Sequence, residues 1–200
     1  MLQTLQYFWD ILWRRRPPSD LPFSPALLGI AAVASVAIGI GLNLAALEFQ
    51  ELQLKAPANA AKPSATLEPG APSYVIVPFV VALSGLAYAA LLRAFKQMPR
   101  AIQTITAIIG ISLFTGAAVL IALLLGLAMP ADAVGLRAIV GITVIVVSGY
   151  DLYAKAWILS QAIERPVALS FIMVLSLEVF VMLVGTILLG PQGAPAAAGV

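Results

Sequence analysis

Long apolar runs separated by short polar joints organise the whole chain, and no segment shows the two-residue alternation of a half-buried strand. A helix needs about 20 mostly apolar residues to cross a bilayer. Runs of that size fall at 25–47, 73–92, 104–129, 133–152 and 166–189. Ser35 and Asn43 interrupt the first run, and the last holds one charge, Glu178. The fourth continues with helical character past Tyr150 through Trp157 toward Ile163. Prolines punctuate the runs. Pro25, Pro72 and Pro166 sit at or just before helix starts, where a missing N–H costs no hydrogen bond. Pro99, Pro130 and Pro191 lie in or beside connections. Pro78 falls inside the second run and is expected to bend it about a turn after it begins. The pattern predicts an all-α polytopic membrane helix bundle of five transmembrane helices, one domain over 17–190.

The segments outside the spans carry their own patterns. Over residues 1–16, Leu5, Phe8, Trp9 and Leu12 share one helical face, while Gln3, Gln6, Asp10 and Arg14 share the other. Trp9 and Trp13, followed by Arg14, Arg15 and Arg16, suit an amphipathic helix in the headgroup layer that anchors the first span. The loop 48–72 is expected to extend the first span as helix and then run as an external strap rich in Ala and Pro. Residues 191–200 are expected to form an extended tail. The first apolar run is not expected to be a cleaved signal: it is too long, and the small residues at 56–60 lie too far beyond it.

Composition sharpens the membrane reading. Hydrophobic residues make up 62% of the chain and charged residues 10%, with mean hydropathy +1.02. Soluble domains carry about a quarter of their residues charged, and so few charges could not cover a water-facing surface. The cations set an orientation. Arg14, Arg15, Arg16, Arg93, Lys96, Arg100, Lys155 and Arg165 fall on one side, against Lys55, Lys62 and Arg137 on the other. This bias predicts a cytoplasmic N-terminus and an external C-terminus. Cysteine and histidine are both absent, which removes disulfides, thiolate chemistry and the usual haem and transition-metal ligands. No phosphate-binding glycine loop and no serine with a histidine base is present. The expectation is therefore no enzyme, no cofactor and no metal. A net charge of +2, dispersed along the chain, gives no footprint for nucleic acid.

Glu178 is the foremost candidate for function, because an ionisable group near the middle of a span is costly and functional by default. Counting residues places Ser35, Ser84 and Thr143 at similar depth as hydrogen-bonding partners. Arg137 lies roughly 10 Å nearer the outer surface at 1.5 Å per residue, too far for an easy ion pair. Burial favours the neutral acid unless water or a cation reaches it. On this count the membrane interior holds no further ionisable group, which favours a structural hydrogen bond over a proton or ion pathway. Ala31, Ser35, Gly39 and Asn43 recur every four residues on the first span and form a small-residue packing face, for the bundle itself or for another protein. Ser112 and Gly116 offer a shorter version. Asp151 and Lys155 are spaced as an i,i+4 pair at the cytoplasmic end of the fourth span, among the interfacial aromatics Tyr150, Tyr153 and Trp157.

The stretch Arg14-Arg15-Arg16-Pro17-Pro18-Ser19-Asp20-Leu21-Pro22-Phe23-Ser24-Pro25, leading into the first of five closely spaced spans, resembles the opening of uncharacterised proteobacterial members of the Yip-type superfamily of small five-span membrane proteins. The resemblance implies a non-enzymatic membrane adaptor with no catalytic residues. With many packing features and no reaction centre, the expected role is a scaffold or accessory subunit of a bacterial inner-membrane complex. Its partners would be membrane lipids and either a second membrane protein or copies of itself. The alternatives are a small transporter or channel component built around Glu178, or a lipid-binding protein using Arg93, Lys96 and Arg100.

Overall fold

The computed structural model describes residues 2–54, 76–130 and 133–189. Among these the chain is all-helical: α1 (Leu2–Leu12), α2 (Pro25–Leu54), α3 (Ile76–Ala94), α4 (Ala101–Ala128), α5 (Val134–Ile163) and α6 (Val167–Leu189), with short 3-10 turns at Pro18–Asp20 and Met98–Arg100. Five helices, α2 to α6, are long and apolar enough to cross a membrane. α2 runs on past the first apolar run to Leu54, and α5 continues unbroken to Ile163, as the sequence predicts. The strap beyond Leu54 and the whole tail 191–200 lie outside the described residues.

Pro78 lies in the first turn of α3 as described, not in its interior. An N–H there has no partner four residues earlier within the helix, so the proline breaks no bond and the expected bend is not required.

α4 is the central element. It packs most extensively on α2 and next on α5, while α6 joins α5 and α3. Small residues set the close approaches. A Cβ at Gly39 of α2 would lie 2.6 Å from Val77, and one at Gly116 of α4 would touch Ile38 and Leu42. At Gly126 of α4, an added Cβ would come within 2.7 Å of Phe49. The Ala31–Ser35–Gly39–Asn43 face therefore meets the bundle's own helices: Ala31 is buried, Ser35 hydrogen-bonds the Ile109 carbonyl, and Asn43 is half-buried.

The core is concentrated toward one end, where Leu92, Ala101, Ile108, Ile158, Leu159 and Ile163 meet. Arg93, Lys96, Arg100 and Arg165 gather around this arginine-rich end. Toward the far end the helices present apolar surface outward, as at Ile142, Ile145, Val179 and Ile187. Chains in lipid have no reason to hide such side chains, since lipid tails are equally apolar.

α1 belongs to the packed end. Phe8 and Ile11 are buried in the core, while Trp9 and Trp13 are exposed. The face turned inward is thus shifted by part of a turn from the one expected, carrying Ile11 in and Trp9 out. The Tyr150 hydroxyl donates to the Leu12 carbonyl, and Arg14 donates to the Tyr153 hydroxyl at 2.7 Å. Arg16 pairs with Asp10 at 3.4 Å and lies over the Tyr7 ring.

Three helix ends at the arginine-rich side close in the same way. Arg14, Lys96 and Glu164 adopt left-handed backbone, with φ of 56°, 59° and 56°. The next residue's N–H then bonds back to the carbonyl five earlier, Arg15 to Asp10, Gln97 to Leu92 and Arg165 to Ser160. Glycine is the usual occupant of this position. Left-handed backbone costs an L-residue roughly 1–2 kcal/mol, partly offset by glycine's larger entropy loss on folding. Lys96→Gly is therefore expected to stabilise the protein by about 0.5–1 kcal/mol, read as a raised unfolding midpoint in detergent. A lowered midpoint would mean that the Lys96 side chain contributes more than its backbone costs.

Candidate functional site

The charged groups of α5 and α6 meet inside the bundle. Lys155 lies about 12 Å along α5 from Ile163, and Glu178 about 16 Å along α6 from Val167, at 1.5 Å per residue. Helical side chains lean toward their own N-terminus, so Lys155 points away from the arginine-rich end and toward the depth of Glu178. Its Nζ sits 2.9 Å from Glu178 Oε1 and 2.8 Å from Asp151 Oδ2, one turn earlier on α5. The i,i+4 pair expected at a membrane boundary is thus the middle of a three-charge cluster. The expectation that Glu178 lacks ionisable neighbours is corrected here: a cation reaches it. Depth counting missed this because it located the Lys155 backbone and ignored the reach of a four-carbon stem.

Asp151 is held from behind by α4. Thr115 Oγ1 lies 2.7 Å and Ser112 Oγ 3.3 Å from Asp151 Oδ1. The Thr115 hydroxyl has one proton and also lies 3.1 Å from the Ile111 carbonyl. The shorter, charge-assisted bond to the carboxylate prevails. With these bonds and Lys155, Asp151 is fully engaged. Among the described residues, Glu178 has only Lys155 and a longer bond from the Tyr88 hydroxyl, at 3.4 Å. Its side chain is 28% exposed, against 12% for Lys155 and 17% for Asp151.

That exposure opens into a cavity of about 180 Å³ lined by Ser35, Ser84, Tyr88, Ser112, Lys155 and Glu178 among apolar residues of α3 and α4. Ser35 and Ser84, placed by depth alone, do share a site with Glu178. Thr143 does not. It is exposed and donates to its own helix at the Ile139 carbonyl. The inward line of α5 runs through Arg137, Val140, Val144, Val147, Asp151, Ala154 and Ile158, and Thr143 is one position off it. Arg137 is buried at the far end, donating to the Met129 carbonyl beyond the end of α4. Tyr88, Thr115 and the role of Lys155 escaped the sequence reading. The signal available was a lysine retained within the helical stretch that runs on to Ile163.

Charge accounting assigns the parts. Lys155 is shared between Asp151 and Glu178 at 2.8 and 2.9 Å, so two carboxylates meet one ammonium, and Lys155 and Glu178 are the two that line the cavity. Such an arrangement can take up a proton or a cation. Among the described residues no group of three Asp and Glu side chains is placed to hold a metal ion.

No protein-family model, curated protein or solved structure matches the chain.

Proposed function

We propose that the chain is a small membrane transport component whose working group is Glu178, taking up a proton or cation beside Lys155. The observation that carries this reading is the Asp151–Lys155–Glu178 cluster, two carboxylates sharing one lysine, with Glu178 and Lys155 lining a cavity inside an apolar bundle. Ionisable groups at such depth are costly to retain for packing alone, and a buried ion pair is weak support for stability in its own right. We place the protein in a bacterial inner membrane with the arginine-rich end in the cytoplasm, following the lysine and arginine bias.

The test is flux. Protein reconstituted in liposomes with an internal pH-sensitive dye is expected to conduct protons under an imposed potential, and Glu178→Gln to reduce that conductance at least tenfold. Glutamine keeps the shape and the hydrogen-bonding capacity, so the effect isolates the titrating group. Wild-type liposomes no leakier than empty ones, to protons and to sodium or potassium alike, would rule out a pathway for protons and alkali cations.

An accessory-subunit role is the second reading. It is favoured by the apolar faces at the far end of α5 and α6, around Ile142, Ile145, Val179 and Ile187, which either lipid or a partner helix can cover. Mild-detergent purification that retains a second membrane protein in stoichiometric amount would support it.

A further inference from the structure

The Glu178 cavity has an apolar antechamber. A groove of about 550 Å³ opens between α2 and α3, with Ala32 and Val36 on one wall, Ala82 and Gly85 on the other, and Ile105 and Ile109 of α4 as its floor. Val33 and Leu86, both largely exposed, stand at its mouth. Val81, Gly85, Ile105 and Ile109 line the groove and the polar cavity alike, so the two spaces adjoin. From the outside inward, the path is apolar first and then meets hydroxyls and the carboxylate of Glu178.

We infer that this groove and cavity together bind an amphipathic cation, an alkylammonium with its tail between α2 and α3 and its charged head against Glu178. Three features select that class. The groove is lined by aliphatic side chains and alanines and offers a tail no hydrogen bonds. Lys155 and Glu178 both line the cavity, but Asp151 shares the lysine, so the cluster has one more carboxylate than ammonium and a cationic head balances it. The hydroxyls of Ser35, Ser84 and Ser112 and the Tyr88 ring line the same cavity, a polar and aromatic surround that suits an ammonium group. An anionic or neutral amphiphile would leave the second carboxylate of the cluster without a cation of its own. The inference rests on Glu178 as the working site proposed above and adds the substrate class and its lateral route from the membrane.

Gly85 provides the means to separate the two. A Cβ at this position would meet nothing within 4 Å, so the first atom of a side chain fits here beside the groove. Radiolabelled decyltrimethylammonium would be dialysed to equilibrium against the protein in lipid nanodiscs, with empty nanodiscs subtracted. Saturable binding of one molecule per chain is expected, weakened at least tenfold by Gly85→Phe and by Glu178→Gln, and not displaced by decanol at equal concentration. Should Gly85→Phe fail to fold, Ala82→Phe narrows the same groove from an exposed position. Absence of saturable binding, equal affinity in the groove variants, or displacement by decanol would each overturn the inference. Proton flux that still requires Glu178 while the ammonium fails to bind would overturn this inference alone. Binding that depends on both Gly85 and Glu178 in a protein without proton or alkali-cation flux would uphold it and overturn the proton pathway.

Discussion

Replacing Lys155 with methionine is expected to destabilise the bundle by about 3 kcal/mol at neutral pH, more than any other single charge removal in this chain. The lysine is the sole cation within 4.0 Å of either Asp151 or Glu178 among the described residues. Its loss leaves two carboxylates facing each other across the space it filled, in an apolar surround. Breaking a buried ion pair from one side costs about 3–5 kcal/mol in soluble proteins. The lower end applies here, because an unfolded membrane chain also finds polar partners. Methionine keeps most of the stem volume, so the loss reports charge and not a cavity. The triple variant Asp151→Asn, Lys155→Met, Glu178→Gln removes all the charge and is expected to recover most of the stability. Unfolding in a graded mixture of mild and denaturing detergent, followed by circular dichroism, measures both. If Lys155→Met unfolds at the wild-type midpoint, the three groups are not coupled as their distances indicate.

What the sequence discloses, and what it withholds, follows from the same physics. Spans are legible because the bilayer imposes a length, and the runs at 25–47 and 166–189 declare themselves against polar joints. Rotation is not legible. In water an inward stripe stands out because the outward face is polar, but in α5 Val140 faces in and Ile139 faces out with no chemical difference between them. Thr143 and Asp151 therefore look equally eligible to join Glu178 when only depth is counted, and one of them is turned to the outside. Polar residues at helical spacing carried the rotation where it could be read: Asp151 and Lys155 had to share a face, and they do. The partner face across from them, Ser112 and Thr115 on α4 and Tyr88 on α3, needed the packing of three helices to become visible. Glycines behave likewise. Gly85 opens a groove while Gly110 seats a ring, and the letter is the same.

Gly110 is the basis of the second large effect, which concerns α1. Phe8 lies against this glycine so closely that a Cβ built there would overlap the ring at Cε1 and Cδ1 and lie 2.8 Å from Cζ. Neither side can yield cheaply. The glycine backbone is mid-helix in α4, and Phe8 is bounded on another side by Phe114, with ring centroids 6.4 Å apart. Gly110→Val is therefore expected to expel Phe8 and, with it, Ile11, the other buried anchor of α1. The amphipathic helix then has an alternative resting place in the headgroup layer, so the bundle itself should persist. Because the chain has no cysteine, single introduced thiols report this cleanly. Ile11→Cys, fully buried in the parent, is expected to react with a maleimide at least tenfold faster when Gly110→Val is present. Ala156→Cys, buried in the bundle core, should stay protected in both backgrounds. Equal rates at position 11 would show that α1 holds its place by the Arg14–Tyr153 and Tyr150–Leu12 bonds without Phe8. Faster labelling at both positions would mean that α1 is no appendage but a sixth wall of the core, and that the bundle opens when it leaves.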